Sequence, residues 1–432
     1  MEKRIIPSDT RAEKDILGSI LINQNAMHSI VDMISDKDFY EPAHAKLYKV
    51  LAEMYEGNKS IDITTVASVL KDKKIPMTPV DLAELANGVA YAGNVKEYAK
   101  IISQKRIRRD LIRASMEIQE ESFENDDTEN VLEGAEKKIM GIGTTSRTYT
   151  FSHIKDAVKS SQEKIDKLQS GDHDAFGVTS GFKQLDHILG GFQKSDMVII
   201  GARPSTGKTA ITLEMGLAAA RDGKSIAIFS LEMSKDQVMD RIISSESRLP
   251  LWKIRNGKLT PIDKPILDEA LRRLEKMEIY IDDTPSPTVL QLRAMSRRLK
   301  MEHGLDMVII DYVQLIQTGK GDSTVQQFTE ISHGLKALGR ELNIPVIALS
   351  QLNRAVDARE VKIPRLSDLR ETGSWEQDAD VVMFLYRPDR DKQSPAIDEI
   401  NVAQIHVAKH RNGPLGVVNM MFEPELATFI EK

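Results

Sequence analysis

Apolar residues recur at helical spacing through roughly the first 145 positions, in Ile16, Ile20 and Leu21 and again in Leu47, Val50, Leu51 and Met54. Each run turns one face inward, which predicts an all-helical N-terminal domain. An acidic, polar stretch ending ESFENDDTEN at Asn130 and the small, hydroxyl-rich GIGTTSRTYT at 141 to 150 mark its end. Between Ile154 and Leu168, the apolar residues Ile154, Val158, Ile165 and Leu168 share one face of a further helix. That face either packs on its own domain or docks, as a linker, on a neighbouring subunit.

From about residue 178 the pattern changes to continuous apolar runs separated by helical stretches: MVIIGA, SIAIFSL, MVIIDYVQLI and PVIALSQL. Such runs are strands covered on both faces, so an α/β domain with a mostly parallel sheet is expected. ADVVMFLYRP, INVAQIHVAKH and LGVVNMMF then follow with little helix between them, which predicts antiparallel strands at the C-terminal end of the sheet. The expected division is a helical domain at 1–145, a linker with an amphipathic helix at 146–177 and the α/β domain at 178–432.

A chain of 432 residues agrees with more than one core. No stretch approaches the roughly 20 apolar residues of a membrane span, and MEKRIIPSDTRAEKD lacks the apolar centre of a signal peptide. Cysteine is absent, which excludes disulfides and thiolate zinc modules, a zinc-bearing recombinase among them. The expected location is cytoplasmic, with no membrane partner. A net charge of -6 argues against a broad nucleic-acid-binding surface and leaves room for a narrow basic channel.

Gly201-Ala202-Arg203-Pro204-Ser205-Thr206-Gly207-Lys208-Thr209 fits G-x-x-x-x-G-K-[ST], with an apolar strand before it and a helix-compatible segment after it. Backbone N–H groups of such a loop cradle phosphates, Lys208 faces the outer phosphates and the Thr209 hydroxyl suits Mg²⁺. ATP or another nucleoside triphosphate, with Mg²⁺, is therefore the expected ligand. Hydrolysis needs further carboxylates, one for the metal and one to polarise water. Asp311 ends the apolar strand MVIID, a place a carboxylate tolerates only with a cationic or hydrogen-bonding partner. A Walker B aspartate facing the metal shell meets that condition. Glu232, after another apolar strand, is the candidate general base, the alternative being a solvated loop acid. Ser234 and Gln237 beside it have capping-box spacing. Gln351, where PVIALSQ emerges, suits a sensor of the γ-phosphate or the water, or else merely caps a turn.

Asn412-Gly413 between alternating strands signals a hairpin and puts Lys409 and Arg411 on one strand face. Read from its residues alone, the segment could equally be a solvated basic turn.

The series GFKQLDHILGGF, GARPSTGKT, FSLEMS, IIDYVQLI, ALSQLNR, DLRETGSWEQDADVV and KHRNGPLG, in this order, resembles the DnaB family of bacterial and phage replicative helicases. AEKDILGSILINQNA and DFYEPAHAKLYKVL resemble that family's helical domain, so nearly the whole chain is covered. The resemblance implies a RecA-like P-loop ATPase domain behind an all-α N-terminal domain. It also implies a homo-hexameric ring with nucleotide at subunit interfaces and 5′ to 3′ translocation on single-stranded DNA. It assigns Lys208 and Thr209 to phosphate and Mg²⁺, Glu232 to catalysis, Asp311 to the metal and Gln351 to sensing. Lys409 and Arg411 become fingers that reach the neighbouring subunit's nucleotide. Arg370, Glu371 and Gly373 match positions that hold the DNA backbone, an interaction tolerant of sequence and sensitive to salt.

The N-terminal domain then serves ring assembly and recruits primase and a helicase loader. Two residues depart from the family pattern: His410 stands where glutamine is common and Trp375 where a small aliphatic is common. Trp375 is read as a core or interface anchor or, alternatively, a base-stacking platform. Lys320, in the loop Gln317 to Thr324, either meets phosphate or is solvated. Two other functions compete with the helicase: a RecA-type recombination or repair ATPase, and an ATP-switched assembly platform.

Overall fold

The computed structural model describes residues 6–89, 94–144, 154–169, 176–318, 323–353, 356, 359, 362–372, 375–390 and 400–432. The chain divides into two compact units, Met1–Ala157 and Val158–Lys432.

The first unit is helical: α1 (Thr10–Ile22), α2 (Asn25–His28), α3 (Pro42–Glu56), α4 (Ile63–Asp72), α5 (Pro79–Asn87), α6 (Val95–Glu124) and α7 (Thr128–Thr144). Helices α1, α4 and α5 start where the sequence supplies oxygen acceptors for free N–H groups. Asp9 accepts from Ala12 N, Asp62 from Thr64 N and Thr65 N, and Thr78 from Asp81 N with Pro79 next to it. Their apolar stripes meet in one core that includes Ile16, Ile20, Leu21, Leu47, Val50, Leu51 and Met54, the positions read from the spacing. Inside it, the buried Glu13 accepts from the Tyr40 and Glu41 amides and pairs with His44 at 2.7 Å, which satisfies its charge.

Helix α8 (Ile154–Gln169) lies across the division, with Ile154, Val158 and Ile165 exposed. The second unit continues with α9 (Lys183–Leu189), β1 (Met197–Ala202), α10 (Lys208–Arg221), β2 (Ile226–Ser230), α11 (Lys235–Ser247), α12 (Leu251–Arg255) and α13 (Asp263–Leu274). Next come β3 (Ile279–Asp282), α14 (Val289–Glu302), β4 (Met307–Asp311), α15 (Thr324–Leu342) and β5 (Val346–Gln351). The chain ends with α16 (Trp375–Asp378), β6 (Val381–Tyr386), β7 (Val402–His410), β8 (Gly416–Glu423) and β9 (Thr428–Glu431).

The nine strands form one sheet in the order β3-β2-β4-β5-β1-β6-β7-β8-β9. The pairs from β3 through β6 are parallel, and those from β6 through β9 are antiparallel. This is the expected mixed sheet, with the turnover at β6. Successive residues of β1, β2, β4 and β5 point alternately into two separate cores, one on each face. Sandwiching of this kind is why those strands read as unbroken apolar runs. In such a sheet the C-terminal strand ends gather their loops into one crevice, and the loops after β1, β2, β4 and β5 all open there.

Candidate functional site

The loop 203–207 leaves β1 and enters α10 through two residues in the left-handed region, Ser205 at φ 63° and Gly207 at φ 103°. A side chain on Gly207 would also run into the Phe429 ring, 2.7 Å from where its Cβ would sit. Glycine is thus required twice over, by conformation and by space. Within the loop Thr206 Oγ1 donates to Arg203 O at 2.7 Å, and Arg203 donates to Leu352 O at 2.6 Å. The second bond ties the loop to the residue after Gln351.

Lys208 and Thr209, in the first turn of α10, both turn to Asp311. Thr209 Oγ1 donates to Asp311 Oδ2, and Lys208 Nζ lies 3.4 Å from Asp311 Oδ1 and 4.2 Å above the Tyr312 ring. Burial pushes the Lys208 ammonium below its usual pKa, while Asp311 and Glu232 pull it back up. Asp311 is 3% exposed, yet its Oδ1 makes no hydrogen bond. A buried carboxylate oxygen in that condition, beside a hydroxyl oxygen, has the hard-oxygen chemistry that a small divalent cation requires. The residues present therefore fit Mg²⁺. Among the described residues no cluster of three or more His, Asp or Glu could hold a metal by itself.

Register places the other carboxylate. Ser230 ends β2 directly opposite Asp311, Leu231 N donates to Asp311 O at 2.7 Å, and Glu232 follows, exposed at the crevice. Its charge reaches Lys208, Tyr312 and Arg241. Ser234 and Gln237 form the expected capping box at the start of α11, so that cap and Glu232 coexist. Gln351 ends β5 exposed, opposite Ala202 of β1.

Several neighbours had no signal in the sequence. Gln314 crosses to the end of β5, donating to Ser350 Oγ at 3.0 Å and Gln351 O at 3.1 Å and accepting from Gln351 N at 3.3 Å. Arg241 on α11 faces Asp311 and Glu232, with burial holding its pKa below the usual guanidinium value. Phe429, under Gly207, packs on Phe422 at 4.8 Å, and the buried Arg387 lies 4.5 Å over Phe422, clamped by Asp389 and Asn401. The Gln314 and Phe429–Gly207 contacts join positions far apart in sequence, which local periodicity does not encode.

Lys409 and Arg411 are not in this crevice. His410 pairs with Val381 at the start of β6, whereas Leu385, near its end, pairs with Ala202 at the P-loop. The two cations therefore sit at the other end of the sheet, roughly 15 Å away at about 3.3 Å per residue. The hairpin also differs from the expected tight Asn-Gly turn. β7 stops at His410 and β8 begins only at Gly416, because the His410 ring closes over Gly413 and bonds Pro414 O, and Pro414 cannot donate to the ladder. Arg411 is accordingly in the turn and not on a strand face shared with Lys409.

Trp375 is completely buried in the core on one face of the sheet, which settles it as an anchor and rules out base stacking. Arg370 and Glu371 fall in the 3-10 segment Leu366–Thr372, and their side chains lie outside the described set. Gly373 and Lys320 lie outside the described residues.

A P-loop after the central β1, a carboxylate ending β4 beneath it, an acid after β2 and an amide ending β5 define a P-loop nucleotide hydrolase of the RecA type. Residues 177–431 match the family model of the DnaB-like helicase C-terminal domain, and residues 5–104 match that of the N-terminal domain. The chain is 40% identical to the replicative DNA helicase DnaB of Geobacillus stearothermophilus, over 99% of this chain and 95% of that protein. It is likewise 40% identical to the replicative DNA helicase DnaC of Bacillus subtilis (strain 168), over 100% and 96%. A solved DnaB-like replicative helicase, described with its interactions with primase, superposes with a TM-score of 0.77 at 31% identity, covering 98% of this chain and 99% of that one. The chain belongs to the DnaB-like helicase family, the ATP-dependent replicative DNA helicases. No described helix is long and apolar enough to cross a membrane.

Proposed function

We propose that six copies of this chain form a ring that hydrolyses ATP between neighbours and draws single-stranded DNA through its centre in the 5′ to 3′ direction. One observation carries the reading: the P-loop and the Lys409–Arg411 pair occupy opposite ends of the same sheet. Cations so placed cannot serve their own nucleotide, whereas head-to-tail packing around a ring brings each pair to the next subunit's P-loop.

At such an interface the amides of 203–209 and Lys208 bind the phosphates. Thr209 and Asp311 would hold Mg²⁺, which when bound would neutralise phosphate charge. Glu232 accepts the proton of the water attacking the γ-phosphorus, and Gln351 senses that water or the γ-phosphate. Lys409 and Arg411 of the neighbour stabilise charge developing in the transition state. The segment carrying Arg370, Glu371 and Gly373 holds DNA phosphates. The chain is used as a helical domain at 1–145, a linker at 146–177 and the motor at 178–432. The helical domain serves ring assembly and recruits primase and a helicase loader.

The test is hydrolysis and unwinding of a forked DNA with a free 5′ tail. The expected result is DNA-stimulated hydrolysis and opening only from that tail, by a particle with the mass of a hexamer. Hydrolysis indifferent to DNA, with the fork closed even when a loader is supplied, would favour the ATP-switched platform.

A further inference from the structure

We infer that Asp380 is a positioning residue for the neighbouring subunit's active site: with the end of α16 it holds Arg411 in the pose from which it reaches that site. The inference rests on the reading of Arg411 given above. Asp380 immediately precedes β6, nine-tenths or more buried, and each of its oxygens is committed. Oδ2 accepts from Met197 N at 2.8 Å and pairs with Lys336, which itself bonds Ser195 O. Oδ1 pairs with Arg411 Nη1 at 3.3 Å, and the Asp380 carbonyl accepts from Arg411 N at 2.9 Å. Asp380 is thus fixed by β1 and α15 before it touches the arginine.

The last carbonyls of α16 complete the support. Arg411 Nη2 donates to Gln377 O, and Lys409 Nζ donates to Glu376 O and to Gln377 O. Terminal carbonyls of a helix have no partner within it and carry partial negative charge, so they hold cations well. α16 is itself held by the buried Trp375 and by Ser332, which donates to Asp378. The Arg411 side chain nevertheless remains 43% exposed. A guanidinium has five donors in a rigid fork, so with one edge on Asp380 and Gln377 the rest stay available for phosphate oxygens. Holding it this way removes the freedom a long side chain would otherwise lose on reaching the transition state.

A double-mutant cycle on the assembled protein tests this, with kcat and KM for ATP measured for Asp380→Asn, Arg411→Ala and the pair. The expected result is a loss of kcat of about 10- to 100-fold for Asp380→Asn with KM within about threefold, and no further loss when it is added to Arg411→Ala. Three outcomes overturn the inference: an unchanged kcat, a raised kcat, or an equal loss in the Arg411→Ala background, which would mean a purely structural role. If Arg411→Ala itself keeps full kcat, the finger reading fails first, and that is a distinct result. Should Asp380→Asn not fold, Asp380→Glu carries the same cycle. It keeps the charge for Lys336 and Met197 while displacing Arg411.

Discussion

The two ends of one sheet differ in what they need from the rest of the molecule. The C-terminal end holds the P-loop, Asp311, Glu232 and Gln351, the group proposed above to bind nucleotide and activate water. The N-terminal end holds Lys409 and Arg411 on a built platform of Asp380 and α16, with no nucleotide-binding element beside it among the described residues. On the proposed reading one chain carries two half-sites of opposite character, separated by the length of the strands between them. On the ring reading proposed above, assembly is part of the active site and not a packaging of finished enzymes.

The sharpest way to break that comparison is Arg411→Ala, for which kcat should fall about a thousandfold while nucleotide binding by Lys208 and the loop persists. A stopped-assay hydrolysis rate beside a fluorescent-nucleotide titration checks both halves. Next in size, Trp375→Ala removes the completely buried anchor of α16 and should cost about 3 to 5 kcal/mol of stability, read as a lowered denaturation midpoint. Smaller again, Gln314→Ala leaves the end of β5 without its three cross-links and should lower kcat about tenfold through a displaced Gln351. An unchanged kcat would show that Gln351 needs no such brace.

The smallest effect is a pH dependence at the hairpin end. Burial, and then the charge of Asp380, raise the Asp196 carboxyl to about 6, well above the usual aspartate value of 3.8. Folding therefore favours its neutral form, so the native state binds more protons than the unfolded chain between those values and stability falls as pH rises through them. Asp196→Asn should be the more stable protein above about pH 6 and equal to the parent below about pH 4. The gain should stay under about 1 kcal/mol, because the group is only half buried. Urea midpoints across pH 4 to 8 would show it, and a gain that grew toward acid would refute the sign.

Much of the nucleotide end was legible in the sequence, because its chemistry sits at strand ends that a continuous apolar run announces. The P-loop, Asp311 after MVIID and Glu232 after SIAIFSL are of this kind. β3 was not, since four half-buried residues make too short a run to separate from a helix flank. Arg411 read as a strand residue because Asn-Gly is a strong turn signal, yet the His410 ring and Pro414 dictate a longer loop. Gln314, Arg241 and Asp380 gave no signal at all. Their roles come from contacts across the sheet, such as the 2.8 Å bond from Met197 N to Asp380, that only the fold creates.

The claim that the two half-sites meet across subunits is tested most directly by mixing Glu232→Gln and Arg411→Ala proteins, dissociating them and letting rings reassemble. Each should be inactive alone. In mixed rings the P-loop of an Arg411→Ala subunit meets the intact hairpin of a Glu232→Gln neighbour at about a quarter of interfaces, so hydrolysis should return toward that fraction of the native rate. A mixture as inactive as its components, with exchange of subunits demonstrated, would contradict the account.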